Sequence, residues 1–133
     1  MSSELAPAAA RADLYGKRIL VVEDDDRLYC ALKDALQDVG CEVFGTCTHV
    51  SGLWDAVPNT YVDAALIGSS GPTQLSSLTR QLSDRGVPIL LMTTRQSTEV
   101  PGPLRRHRRL VKPFTEQDLV YGIVAALSTA GLP

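Results

Sequence analysis

Four short apolar runs punctuate the chain, Ile19 to Val22, Ala64 to Ile67, Ile89 to Met92 and Leu110 to Val111, each continuous rather than alternating. Runs of this kind suit strands covered on both faces, as in a parallel sheet. After the first run, Leu28, Ala31, Leu32, Ala35, Leu36 and Val39 recur at i, i+3 and i+4, and Gly40 follows. That spacing predicts one amphipathic helix with a glycine stop. Val43 and Phe44 mark a weaker strand over Cys41 to Thr46, and Leu53, Trp54 and Val57 a short helix that Pro58 ends. Leu75, Leu78 and Leu82 predict a third helix, stopped by Gly86. Thr115, three residues ahead of Asp118, predicts a capping box for a last helix buried through Val120, Ile123, Val124 and Leu127.

Strands alternating with helices imply right-handed crossovers and a doubly wound α/β sheet with helices on both faces. Ligands of such sheets sit beyond the carboxyl ends of the strands. One unit is irregular: between Met92 and Leu110, Pro101, Gly102 and Pro103 cannot propagate a helix. A loop and at most a short fourth helix are expected there. Residues 1–16, rich in alanine and small polar residues, read as a tail or the remnant of a preceding linker helix, leaving 17–130 as the folded domain.

Composition narrows the class. With 133 residues, 44% hydrophobic and 21% charged, the chain supports a single core and is neither disordered nor collagen-like. No apolar run approaches the roughly 20 residues that span a bilayer, so no membrane partner is expected. Glu4 stands where a signal peptide carries positive charge, and a cytoplasmic location is expected. Cys30, Cys41 and Cys47 lack zinc spacing or a CxxC pair and read as reduced thiols. His49 and His107 have no ligand-spaced companions. Phosphate-loop, dinucleotide, nucleophile-elbow and HExxH motifs are all missing, which argues against an enzyme of those classes. The net charge of −2 gives no footprint for DNA, yet it is a cancellation. Glu23, Asp24, Asp25 and Asp26 are consecutive, and Arg105, Arg106, His107, Arg108 and Arg109 form a basic block.

Three polar features fall at carboxyl ends of predicted strands: Glu23 and Asp24, Thr93 and Thr94, and Lys112 followed by Pro113. Adjacent carboxylates can hold a hard cation such as Mg²⁺, a hydroxyl can bond a phosphoryl oxygen, and a lysine can neutralise its charge. Together they read as a phosphoryl-transfer pocket.

Three stretches, Ile19-Leu20-Val21-Val22-Glu23-Asp24-Asp25, Val87-Pro88-Ile89-Leu90-Leu91-Met92-Thr93-Thr94 and Val111-Lys112-Pro113-Phe114, give the chain from Lys17 to Leu127 a resemblance to the receiver domain of response regulators. The resemblance implies a flavodoxin-like (βα)5 fold with strand order 2-1-3-4-5, and a place in two-component or phosphorelay signalling. In that family a histidine kinase's phosphoryl group passes to an aspartate at the end of strand 3, with Mg²⁺ held by acidic residues after strand 1. By position, Glu23 and Asp24 match that acidic pair, Thr93 the switch hydroxyl and Lys112 the phosphate-sensing lysine. Asp25 and Asp26 then begin the first helix, where carboxylates favour the positive end of the dipole.

The match fails at the phosphoacceptor. In Val62-Asp63-Ala64-Ala65-Leu66-Ile67-Gly68, which looks like the family's strand 3, that position is Gly68. Asp63 precedes the strand and sits about 16 Å away at the opposite end of the sheet. Ser69 and Ser70 are close, but a seryl phosphate lacks the ready hydrolysis of an acyl phosphate. With the family's aspartate missing as a ligand, at most weak Mg²⁺ binding by Glu23 and Asp24 is expected, and no other cofactor. The aromatic residue that usually lies three positions before the conserved lysine is replaced by Arg109. Gly68, Arg109 and the Pro-Gly-Pro break alter three parts of one switch, for which loss of the switch is the economical account.

The expectation is therefore a degenerate receiver, or pseudo-receiver, acting through contacts with a histidine kinase or another signalling protein. A first alternative uses the basic block: Arg105, Arg106, Arg108 and Arg109, with Arg95 and Gln96 on the same side, would take an anion such as a cyclic dinucleotide. A second is a working receiver with an Asp-to-Gly change at position 68.

Overall fold

The computed structural model describes residues 8–46, 61–68, 72–94 and 107–129. Along them run α1 (Ala8–Leu14), β1 (Arg18–Val22), α2 (Asp26–Asp38), β2 (Glu42–Thr46), β3 (Ala64–Gly68), α3 (Pro72–Asp84), β4 (Ile89–Thr94), β5 (Arg108–Lys112) and α4 (Glu116–Thr129). The strands form one sheet in the order β2-β1-β3-β4-β5 with every pairing parallel. This is the flavodoxin-like order expected from the sequence. The short helix expected around Trp54 and the interrupted fourth helix fall outside the described residues.

The continuous apolar runs are explained by the two cores they serve. Ile19, Val21, Ala64, Leu66, Leu90, Met92 and Leu110 pack on one face with Leu32 and Leu36 of α2 and Leu119, Val120 and Ile123 of α4. Their neighbours Leu20, Val22, Ala65, Ile67, Ile89 and Leu91 pack on the other with Leu78 and Leu82 of α3. Successive strand residues point to opposite faces, so a strand covered on both must be apolar throughout. The β3 strand is buried at all five positions.

The edge strand β5 obeys a weaker rule. Only Leu110 is buried in it, while Arg108, Arg109 and Val111 are exposed. The strand extends beyond the apolar run Leu110 to Val111, with Arg108 and Arg109 of the basic block as its first two residues. An edge strand leaves one side open, so arginines there meet water without losing their ladder bonds to β4.

The ends of the helices follow their caps. Asp25 accepts a bond from Leu28 N–H at 3.1 Å and caps α2, with Asp26 in its first turn. Thr115 and Asp118 bond each other's backbone N–H groups at 3.0 and 3.2 Å, the reciprocal box predicted for α4. Gly40, at φ +93°, turns the chain from α2 toward β2, and Tyr15 lies against it.

Within the segment read as a tail or linker, Ala8–Leu14 forms a packed helix. Leu14 is fully buried and Ala10 nearly so, both in the α2/α4 core. Arg11 lies 3.8 Å from Asp38 of α2 and 3.7 Å from Glu116 of α4. The Cys41 thiol donates to the Leu14 carbonyl at 3.4 Å, joining the end of α1 to the start of β2.

Candidate functional site

Parallel register brings the carboxyl ends of the strands into one row. Val22 lies opposite Ile67, Gly68 opposite Met92, and Thr94 opposite Lys112. Glu23 follows β1 directly and is 1% exposed, the only buried acidic residue among those described. A charge so placed must be paired or hydrogen-bonded. Both its oxygens are engaged: Oε1 accepts from the Asp25 backbone N–H at 3.1 Å, and Oε2 from Lys112 Nζ at 3.1 Å. The Glu23 side chain is fully enclosed, whereas that of Lys112 is 25% exposed.

The third member of the cluster has no side chain. A β-carbon built on Gly68 would overlap Oε2 of Glu23 and stand 2.9 Å from its Cδ and 3.3 Å from Oε1. The Glu23 carboxylate thus fills the volume that any side chain at the end of β3 would need. Sequence reasoning aligned Glu23, Gly68 and Lys112 as neighbours but missed this occupation. The signal was present in the extra methylene that Glu has over Asp, next to a strand end with nothing to fill it.

Burial is the largest influence on Glu23 and pushes its carboxyl above the usual range. The Asp25 N–H pulls it down, the neighbouring Asp24 raises it, and Lys112 lowers it. Asp24 itself is exposed. This donor set does not suit a divalent cation. One carboxylate is already committed to an ammonium and a backbone N–H, and Mg²⁺ demands an octahedron of oxygens. Among the described residues, no three His, Cys, Asp or Glu side chains cluster to hold a metal.

Thr93 is half-buried on β4 opposite Val111, and the alternation that carries Leu91 to the α3 side carries Thr93 with it. Glu23, Gly68 and Lys112 continue the opposite row, that of Val21, Leu66 and Leu110. The structure therefore brings together three of the predicted site residues and sets Thr93 across the sheet from them. Asp63 stands at the far end, as expected, accepting from Arg18 N–H at 2.7 Å and from the Tyr61 hydroxyl at 3.0 Å. A cleft of about 330 Å³ opens at that far end between Tyr61–Asp63 and Arg85–Pro88, away from the charged cluster.

The basic block is only partly in view, since Arg105 and Arg106, together with Arg95, Gln96, Ser69 and Ser70, lie outside the described residues. Arg108 and Arg109 are exposed on β5, as is Val111 of the same strand at 45% exposure. Consecutive strand residues leave on opposite faces, so these two arginines do not converge on one anion.

No protein-family model and no curated protein sequence matches the chain. Solved structures do. The Vibrio cholerae chemotaxis protein CheY4 superposes with a TM-score of 0.71 at 22% identity, covering 84% of this chain and 99% of that one. A response regulator receiver protein from Sinorhizobium medicae gives 0.70 at 19% identity, over 86% and 97% of the two chains. The signal receiver domain of an HD domain-containing protein from Pseudomonas fluorescens gives 0.72 at 18%, over 85% and 88%. Five parallel strands in the order 2-1-3-4-5, flanked by helices on both faces, and these superpositions agree: the chain has the fold of a response regulator receiver domain.

Proposed function

We propose that the chain is a degenerate receiver, a module of two-component or phosphorelay signalling that works through protein contacts without aspartyl phosphorylation, without a resident Mg²⁺ and without catalysis of its own. The observation that carries this reading is the Glu23 carboxylate lying in the space of a side chain at Gly68 and bonded to Lys112. An acyl phosphate needs a carboxylate open to an incoming phosphoryl group. Here the end of β3 offers none, and the nearby carboxylate is enclosed and paired. Thr93 and Lys112 then persist as parts of the packing rather than of a switch.

The contact surface that fits this role is the open edge of β5. It combines two arginines with exposed Val111, and arginine is a residue enriched at interfaces. A histidine kinase or another signalling protein with acidic groups around an apolar patch is the partner this surface suits. The opposed directions of Arg108 and Arg109 favour such a broad contact over the grip of a single cyclic dinucleotide.

Incubation with acetyl phosphate and Mg²⁺, followed by intact-mass spectrometry, tests the reading. The chain should keep its original mass. An acid-labile gain of one phosphoryl group would overturn it.

A further inference from the structure

The α1 helix is held to the domain by few groups. Ala10 and Leu14 are its buried positions, while Ala8, Ala9, Ala12 and Asp13 are exposed. Its charged anchor is imperfect: Arg11 Nη1 and Glu116 Oε1 are buried 3.7 Å apart, and neither has a hydrogen-bond partner among the described residues. Seven residues are too few to hold a helix by themselves in water, so α1 depends on the groove that encloses Leu14. The link to β1 is three residues, Tyr15-Gly16-Lys17, folded tightly by Lys17 N–H donating to the Leu14 carbonyl at 3.0 Å and Gly16 N–H to the Gly40 carbonyl at 2.9 Å. Gly16 sits in the left-handed region at φ +80°, and a β-carbon there would meet nothing within 4 Å. Tyr15, at 78% exposure, is the most exposed large apolar side chain among the described residues, with Asp13 and Lys17 two positions to either side.

We propose that the groove between α2 and α4 docks the α1 of a second copy of this chain, by exchange of α1 across an opened Tyr15–Lys17 hinge. The inference stands apart from the degenerate-receiver reading, which concerns the opposite end of the sheet. The contacts of Ala10, Arg11 and Leu14 are the same in the exchanged pair as in the single chain, so the exchange costs only the meeting of two chains and the rearranged hinge. Fully extended, three residues reach about 10 Å, so the two hinges cross close to one two-fold axis beside Tyr15. The surface there is self-complementary, as a two-fold contact requires. Tyr15 of each copy covers the other, and each Asp13 comes toward the other copy's Lys17.

The closed monomer keeps Gly16 left-handed, whereas the opened hinge is extended. Gly16→Ala therefore penalises the monomer alone, by about tenfold per hinge and so about a hundredfold in the dimer equilibrium. Each full chain is refolded from urea at millimolar concentration and sized by chromatography with light scattering. The dimer fraction should rise from the parent through Gly16→Asn, which tolerates the left-handed region, to Gly16→Ala. Monomer throughout, or a dimer fraction that does not follow this order, overturns the proposal. Should Gly16→Ala fail to fold, Gly16→Asn against the parent carries the same comparison. To separate exchange from side-by-side pairing, Arg11→Glu is refolded together with Glu116→Lys, both in the background of the more dimeric Gly16 variant, and native mass spectrometry counts the pairs. Exchange sets the two substituted side chains together in one groove and Arg11 with Glu116 in the other, so the mixed dimer should exceed its statistical share. A statistical mixture overturns the exchange.

Discussion

At the scale of single residues, the protein is defined by a carboxylate in an unusual place. Glu23 is buried with its counter-charge partly in water, and its carboxyl is raised above the ordinary value of 4.5. A raised folded pKa means the folded chain holds that proton more tightly than the unfolded one. The group's contribution to stability is therefore full below the unfolded value and lost as pH rises through the folded one. Lys112→Met removes the ammonium, drives the carboxyl higher still and extends this loss toward neutral pH. Urea unfolding should show a cost of about 2–3 kcal/mol at pH 8, less than a fully buried pair because Lys112 is a quarter exposed, and a smaller cost at pH 5. Equal costs at the two pH values would show that Glu23 does not depend on Lys112.

The thiols divide the same way. Burial, with Asp63 adding to it, pushes Cys41 up to about 11, whereas Cys30 is exposed. Iodoacetamide at pH 8 should alkylate Cys30 and spare Cys41 in the folded chain. The stability that Cys41 contributes holds below pH 9 and fades as pH rises through about 11. Modification of both thiols at one rate would contradict the placement of Cys41 under Leu14. Part of the site was legible in the sequence: the apolar runs put Glu23 and Lys112 at strand ends, and the family resemblance singled out Gly68. What could not be read was the path of the Glu23 side chain, because strand patterns fix backbone position and leave rotamers to whatever space neighbours provide.

At the scale of elements, the same contrast separates central strands from the margins. Strands covered on both faces announce themselves as apolar runs, and β1, β3 and β4 were visible for that reason. The β5 strand was cut short because its arginines face water along an edge, and α1 was read as a tail because seven residues carry too little periodicity. Its buried positions, Ala10 and Leu14, are one turn apart, a signal too slight to weigh against small polar neighbours. Leu14 is nonetheless fully enclosed, and Leu14→Ala should cost about 2–4 kcal/mol in urea unfolding. A cost below about 0.5 kcal/mol would show that α1 is not part of the core. At the other end, Thr115→Ala removes one half of the α4 box and should cost about 1 kcal/mol.

At the scale of the whole molecule, the near-neutral net charge resolves into an acidic stretch after β1 and arginines on the edge strand β5. The Glu23–Lys112 bond links the carboxyl end of β1 to that of β5. The edge itself contributes little to folding. The combined charge reversal of Arg108→Glu and Arg109→Glu should change stability by no more than about 0.5 kcal/mol, as expected of exposed positions. A larger loss would place those arginines in the structure rather than on a contact surface.

The central claim is that the rim at the carboxyl ends of the strands neither accepts a phosphoryl group nor changes state when offered one. Two-dimensional ¹H–¹⁵N NMR of the chain, recorded before and after addition of acetyl phosphate with Mg²⁺, examines it residue by residue. The account predicts superimposable spectra, with the amides of Glu23 to Asp25, Gly68, Thr93 and Lys112 unmoved. A new set of resonances at those amides, decaying as the acetyl phosphate is spent, would contradict it.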